Sequence, residues 1–177
     1  PAEVVERNHK NKRGETVTLA LNKFTNDTTL SLLENMPSIQ TLTLDNAQTT
    51  DAGMSHVSKL TSLQMLALNG TAITDAAFDE LQKLTNLTQL ELANTRITDA
   101  AIPAIKTLKN LRVLNLERTD ITDEGLAELS EMKQLQALVL NGTTITDVGI
   151  AHLAKLKDLD SLRLNDTQIT DAAIQSL

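Results

Sequence analysis

The chain has 177 residues, a formal net charge of −7 and no cysteine. Disulfides and thiol chemistry are excluded, while secreted and cytoplasmic settings both stay open. No basic stripe offsets the acidity, which argues against nucleic acid as a partner, and no apolar run is long enough to span a bilayer.

In chain order, residues 1–12 form an N-terminal capping segment. There Ala2, Val4 and Val5 sit among charges, a pattern that predicts a short helix over the open end of a repeat array. Residues 13–177 form that array, about seven units, the first degenerate and the last truncated. Ile-Thr-Asp recurs at 73–75, 97–99, 121–123, 145–147 and 169–171, each after a Leu-x-x-Leu-x-Leu run. Repetition at a fixed period marks a solenoid, which buries an apolar rod between stacked units. In the first unit Leu19 and Leu21 take the strand positions, Phe24 the position occupied by Thr elsewhere, and Asp27 the Asp position. The chain opens at Pro1 without Met and stops short of a full unit, so it reads as a fragment.

The period changes inside each unit. Leu66 and Leu68 alternate with Met65, Ala67 and Asn69, the period of a strand. Asn69-Gly70 marks a turn. Asp75 then opens a short helix, whose buried stripe is Phe78, Leu81 and Leu84. Two helical turns are marginal alone, so packing on neighbouring units must hold them. Strands stack about 4.8 Å apart and helices about 8–10 Å, which bends the stack with its strands inside.

This pattern resembles the leucine-rich repeat proteins. The Thr-x-Ile-Thr-Asp variant looks most like bacterial repeats abundant in planctomycete-type genomes, and it is similar to the cysteine-containing repeats of F-box proteins, with Thr in place of Cys. The resemblance implies an α/β solenoid: a horseshoe arc with a parallel β-sheet on the concave face and short helices on the convex face. It also implies that Thr71, Thr95, Thr119, Thr143 and Thr167 point inward and bond the turn backbone. Ala47 and Phe24 replace them in the first two units.

Seven aspartates share one column, from Asp27 through Asp51, Asp75, Asp99, Asp123 and Asp147 to Asp171. Each is expected to cap the helix it opens, with the preceding Thr sharing the role; a calcium ladder would need several oxygens converging at about 2.3–2.6 Å. A small column, with Gly53, Ala77, Ala101, Gly125, Gly149 and Ala173, reads as close backbone packing. Pro103 comes early enough in its helix to be tolerated.

Little chemistry is on offer. His56 and His152 share a column four units apart, roughly 19 Å at strand spacing, too far to share a ligand. Glu80 and Glu128 neighbour them on the outer face, and His9 lies in the N-terminal segment. No nucleophile elbow, metal cluster or phosphate loop occurs, so neither an enzyme nor a cofactor is expected. The Asn-x-Thr matches at Asn26, Asn69, Asn86, Asn141 and Asn165 mostly restate the repeat.

The columns between the leucines vary: Thr18, Thr41, Met65, Gln89, Val113, Ala137, Ser161; then Ala20, Thr43, Ala67, Glu91, Asn115, Val139, Arg163; then Asn22, Asp45, Asn69, Ala93, Glu117, Asn141, Asn165. Positions that do not maintain the repeat are free to vary and to recognise. The candidate contact residues are Met65, Gln89, Glu91, Val113, Asn115, Glu117, Val139 and Arg163, with Arg118 at a turn. The resemblance implies a noncatalytic module that binds a protein or peptide on this face. The alternatives are a spacer in a larger secreted or envelope protein, and a substrate-receptor arm of an F-box-like assembly.

Overall fold

A computed structural model describes residues 4–8 and 17–174 of the protein, with side-chain positions for 17–173. Leu-x-Leu segments alternate with turns, and each segment can bury its leucines only against the copies above and below it. The described strands accordingly make one sheet in sequential order: β1 (Val4–Asn8), β2 (Val17–Leu21), β3 (Ile39–Thr43), β4 (Met65–Ala67), β5 (Gln89–Glu91), β6 (Val113–Asn115), β7 (Ala137–Val139) and β8 (Ser161–Arg163). From β2 onward every pairing is parallel. The register is strict: Met65, Gln89, Val113, Ala137 and Ser161 are successive partners, as are Leu66, Leu90, Leu114, Leu138 and Leu162.

Val4–Asn8 corrects the expected helix. It is a strand, antiparallel to β2, with Arg7 opposite Leu19. An uncovered β2 edge would offer a row of unpaired N–H and C=O groups, and a strand satisfies them where a helix would not. The β-branched Val4 and Val5 suit that conformation. Ala2 and His9 fall outside the described residues.

On the other face run short helices: α1 (Asp27–Leu30), α2 (Met54–Val57), α3 (Phe78–Leu81), α4 (Ile102–Ile105), α5 (Asp123–Leu129), α6 (Asp147–Leu153) and α7 (Asp171–Ile174). α2, α3 and α4 are each preceded by a 3-10 turn beginning at the column aspartate, and Ser31–Asn35 follows α1 as another. Pro103 sits in the first turn of α4, where its missing N–H costs little. Between the layers lies the rod: Leu66, Leu68, Ile73, Phe78, Leu81 and Leu84 of one unit are all essentially buried, and their counterparts repeat along the stack.

The Thr column behaves as expected. Thr71, Thr95, Thr119, Thr143 and Thr167 each donate a hydroxyl hydrogen bond, of 2.5–2.7 Å, to the carbonyl three residues earlier. Phe24 departs from expectation. The first unit is one residue short between Leu21 and Asp27, so the turn cannot carry Phe24 inward. The ring is 55% exposed, with Lys23 Nζ 5.4 Å from its centroid. Thr25 is buried instead, at the place Ile73 fills in a regular unit, and Thr49 repeats that substitution one unit later. Both hydroxyls lack a partner.

The aspartates do not cap their own helices. The N-caps are the preceding residues: Thr74, in extended conformation, accepts a hydrogen bond from the Ala76 N–H, Thr50, Thr98, Thr122 and Thr146 do the same in their units, and Asn26 caps α1 by accepting from the Thr29 N–H. Each Asp from Asp27 to Asp147 reaches forward to the next unit's Thr. Asp51 Oδ1 accepts the Thr74 N–H at 2.7 Å and its Oδ2 accepts the Thr74 hydroxyl at 2.7 Å. The same two bonds link Asp27 to Thr50, Asp75 to Thr98, Asp99 to Thr122, Asp123 to Thr146 and Asp147 to Thr170. From Asp27 to Asp147 the column is a row of ties between units, with both oxygens of each of these six carboxylates engaged. The small column makes room for it. A Cβ on Gly53, Gly125 or Gly149 would meet the carboxylate of Asp27, Asp99 or Asp123 well inside contact distance.

Candidate functional site

The strand face is built by alternation: with Leu66, Leu90, Leu114 and Leu138 turned into the rod, their neighbours at 65 and 67, 89 and 91, 113 and 115, and 137 and 139 stand on the opposite side. Parallel register aligns them into rows. One row brings Met65, Gln89 and Val113 together; the next brings Glu91, Asn115, Val139 and Arg163 together. All but Arg163 are half-buried, and Arg163 on β8 is exposed.

Within this face Gln89 donates from Nε2 to Glu91 Oε1 at 2.9 Å. Asn115 Oδ1 accepts the Glu117 N–H at 2.9 Å, and Glu117 Oε2 accepts from Asn141 Nδ2 at 3.0 Å. Glu91 and Glu117 are thus held by neutral amides. The five ion pairs among the described residues all lie on the helix side, and neither Arg118 nor Arg163 takes part in one.

The third face row is only partly free. Asp45 Oδ1 accepts the Asn69 N–H, Asn69 Oδ1 accepts the Ala93 N–H and Asn141 Oδ1 accepts the Asn165 N–H, at 2.7–3.0 Å. These side chains extend the sheet ladder past the ends of the strands. Recurring Asn and Asp in that row is the sequence signal that would have revealed this role. Burial pushes the Asp45 carboxyl above its usual range, and the nearby Glu91 charge adds to the rise, against the hydrogen bonds from Asn69.

Arg118 lies one position further, where the backbone turns. Asn46, Gly70, Asn94, Arg118, Gly142 and Asp166 all have φ between 51° and 67°. Gly, Asn and Asp tolerate this left-handed conformation; Arg does so at a cost of roughly 1–2 kcal/mol. Its side chain lies over the next unit's turn, with Cγ 2.8 Å from where a Cβ on Gly142 would stand.

The histidines stand on the helix side, apart from this face. His56 pairs with Glu34 of the preceding unit rather than with Glu80. Lys59 also binds Glu34, and these two partners, Lys59 first, hold its carboxyl below the usual range. Glu80 instead takes Ser58 and Lys83, and Glu128 lies 3.6 Å from Lys106.

A family model described as leucine rich repeat matches residues 85–145. No curated protein matches the sequence. Among solved structures, an internalin C2 from Listeria monocytogenes is 27% identical with a TM-score of 0.69, over 89% of this chain and 66% of that one. An internalin (inlF) from the same organism is 22% identical with a TM-score of 0.61, over 83% of this chain and 48% of its own. A TDR receptor is 17% identical with a TM-score of 0.59, over 84% of this chain and 26% of its own. The chain therefore spans about half of the internalin (inlF) structure and about a quarter of the receptor's. The repeating sequence, the sequential parallel sheet and these likenesses make the fold a leucine-rich repeat solenoid.

Proposed function

We propose that the protein is a noncatalytic binding module that presents its strand face to a protein or peptide. The observation carrying this reading is the contrast between rows. The Leu, Thr, Asp and small rows are each committed to core, turn, tie or close approach, whereas the rows through Met65, Gln89, Val113 and through Glu91, Asn115, Val139, Arg163 hold a fixed geometry with changing chemistry. A leucine-rich repeat fold commonly serves binding, which supports the reading by analogy of fold.

The face has no aromatic side chain, so binding rests on polar contacts and on the aliphatic Met65, Val113 and Val139. No described helix is long and apolar enough to cross a membrane. Replacing Glu91, Asn115, Val139 and Arg163 together should abolish capture of a partner that the unaltered protein retains, with cross-links from that partner mapping to β5–β8. An unchanged set of captured partners would refute the proposal.

The second reading is a spacer within a longer protein. The committed Leu, Thr and Asp rows favour it, since they maintain the stack without calling for a partner. An F-box-like assembly arm or a planctomycete-type origin rests on the repeat variant alone.

A further inference from the structure

A second surface lies at the rim where the chain enters the strands. It is an open groove of about 520 Å³. Two repeat columns line it. Gln40, Gln64, Thr88 and Arg112 stand just before the first face position of β3 to β6, and Ser62, Asn86 and Asn110 stand two residues earlier. Six of these are neutral hydrogen-bonding side chains, the seventh is a guanidinium, and none is apolar.

Asn86 and Asn110 spend one N–H each on the carbonyls of Thr61 and Thr85 in the preceding unit, which fixes their amides in place. Thr88 similarly bonds the Gln64 carbonyl. Among the described residues the side chains of Gln40, Ser62 and Gln64 make no hydrogen bond to protein, and Arg112 makes one, a 3.4 Å contact with the Gln134 carbonyl. No carboxylate forms an ion pair with Arg112 among the described residues. The groove thus offers free amides on Gln40 and Gln64, a free hydroxyl on Ser62, partly engaged side chains on Asn86, Thr88 and Asn110, and one guanidinium without an ion pair among the described residues.

We propose that this rim groove binds an extended oligosaccharide bearing carboxylate groups. Sugar hydroxyls both donate and accept, as amides and hydroxyls do. A peptide partner would instead call for apolar pockets for its side chains, which the groove lacks. The strand spacing is close to the length of one pyranose ring in an extended chain, so successive units can meet successive sugars. Arg112 supplies a planar fork for a uronate carboxylate. This site shares no residue with the strand-face reading and does not depend on it.

The test is titration of the intact protein with oligogalacturonate, monitored by calorimetry or by NMR shifts, with a cello-oligosaccharide as the neutral control and an oligoglutamate as the acidic peptide control. The altered protein carries Gln64→Ala and Arg112→Gln, which leave the Asn86 and Asn110 ties intact; its thermal melt checks folding. Oligogalacturonate should bind, the cello-oligosaccharide should bind more weakly, and the double change should weaken uronate binding by about tenfold or more. The strand-face quadruple change should leave it unaltered. Absence of uronate binding at millimolar concentration would overturn the proposal, as would binding that survives the double change or is lost with the strand-face change. Equal affinity for the neutral chain would overturn the role of the carboxylate, and tighter binding of oligoglutamate would overturn the ligand class.

Discussion

The Asp–Thr ties make a quantitative prediction that separates them from ordinary helix caps. Asp123 accepts the Thr146 N–H at 2.9 Å and the Thr146 hydroxyl at 2.6 Å, across the boundary between two units. Hydrogen bonds to a charged group contribute about 1.5–3 kcal/mol each when water is excluded. Asp123 and Thr146 are only partly buried, so water replaces part of what is lost and Asp123→Ala should cost about 2 kcal/mol in all. A helix cap alone would cost a similar amount, about 0.5–2 kcal/mol, so the single change does not discriminate. A double-mutant cycle does. If Asp123 served its own helix, Asp123→Ala and Thr146→Val, which sit in different units, would add. If Asp123 ties the units, they should couple by about 1 kcal/mol or more. Urea unfolding of the four proteins measures this, and additivity within about 0.3–0.5 kcal/mol would refute the tie. A calcium-dependent melt of the unaltered protein would also refute it, since both carboxylate oxygens would then serve a metal.

Thr49→Val should stabilise the protein by about 1 kcal/mol, because it replaces a buried, unpartnered hydroxyl with a methyl group of the same shape; a lower melting temperature would show that the hydroxyl has a partner. Arg118→Gly should raise stability by about 1 kcal/mol by relieving a left-handed arginine, and if Arg118 helps hold a partner it should weaken capture at the same time. Asp45→Asn should keep the hydrogen bond to the Asn69 N–H while removing a carboxylate that folding pushes up. With Asp45 present, stability falls as pH rises from its ordinary value of 3.8 through its raised folded value; the asparagine protein should lack that component, as measured by melts across the acidic range. Asp147 runs the other way: the Thr170 bonds hold its carboxyl down, so it stabilises above its ordinary value and that contribution is lost as pH falls through the folded value. Asp147→Asn should flatten this acid limb.

Much of the fold was legible because a repeat reports each position several times. Leu66, Leu90, Leu114 and Leu138 recur in one place, and only stacking explains a period that changes from strand to helix inside every unit. The strand-face rows were equally legible, since parallel register is a consequence of identical unit length. Three features were not. The Asp column reads as a set of local caps because Asp before a short helix has that meaning on its own; the forward tie depends on how far one unit stands from the next. Phe24 falls in the Thr ladder because alignment by column ignores the missing residue, while the turn geometry does not. The N-terminal strand reads as a helix because nothing in Val4 and Val5 alone announces the open edge of β2.

The period, the buried rod and the rows of the strand face came from the amino-acid sequence alone, because each is set by spacing along the chain and by which side chains water rejects. Tertiary structure decided what the polar residues do. A carboxylate or an amide can bond whichever group comes within reach, and reach across the unit boundary is fixed only when the units stack. That is why Asp51 serves Thr74 rather than its own helix, why Asn69 continues the sheet ladder, and why Gln64 and Arg112 meet in one groove.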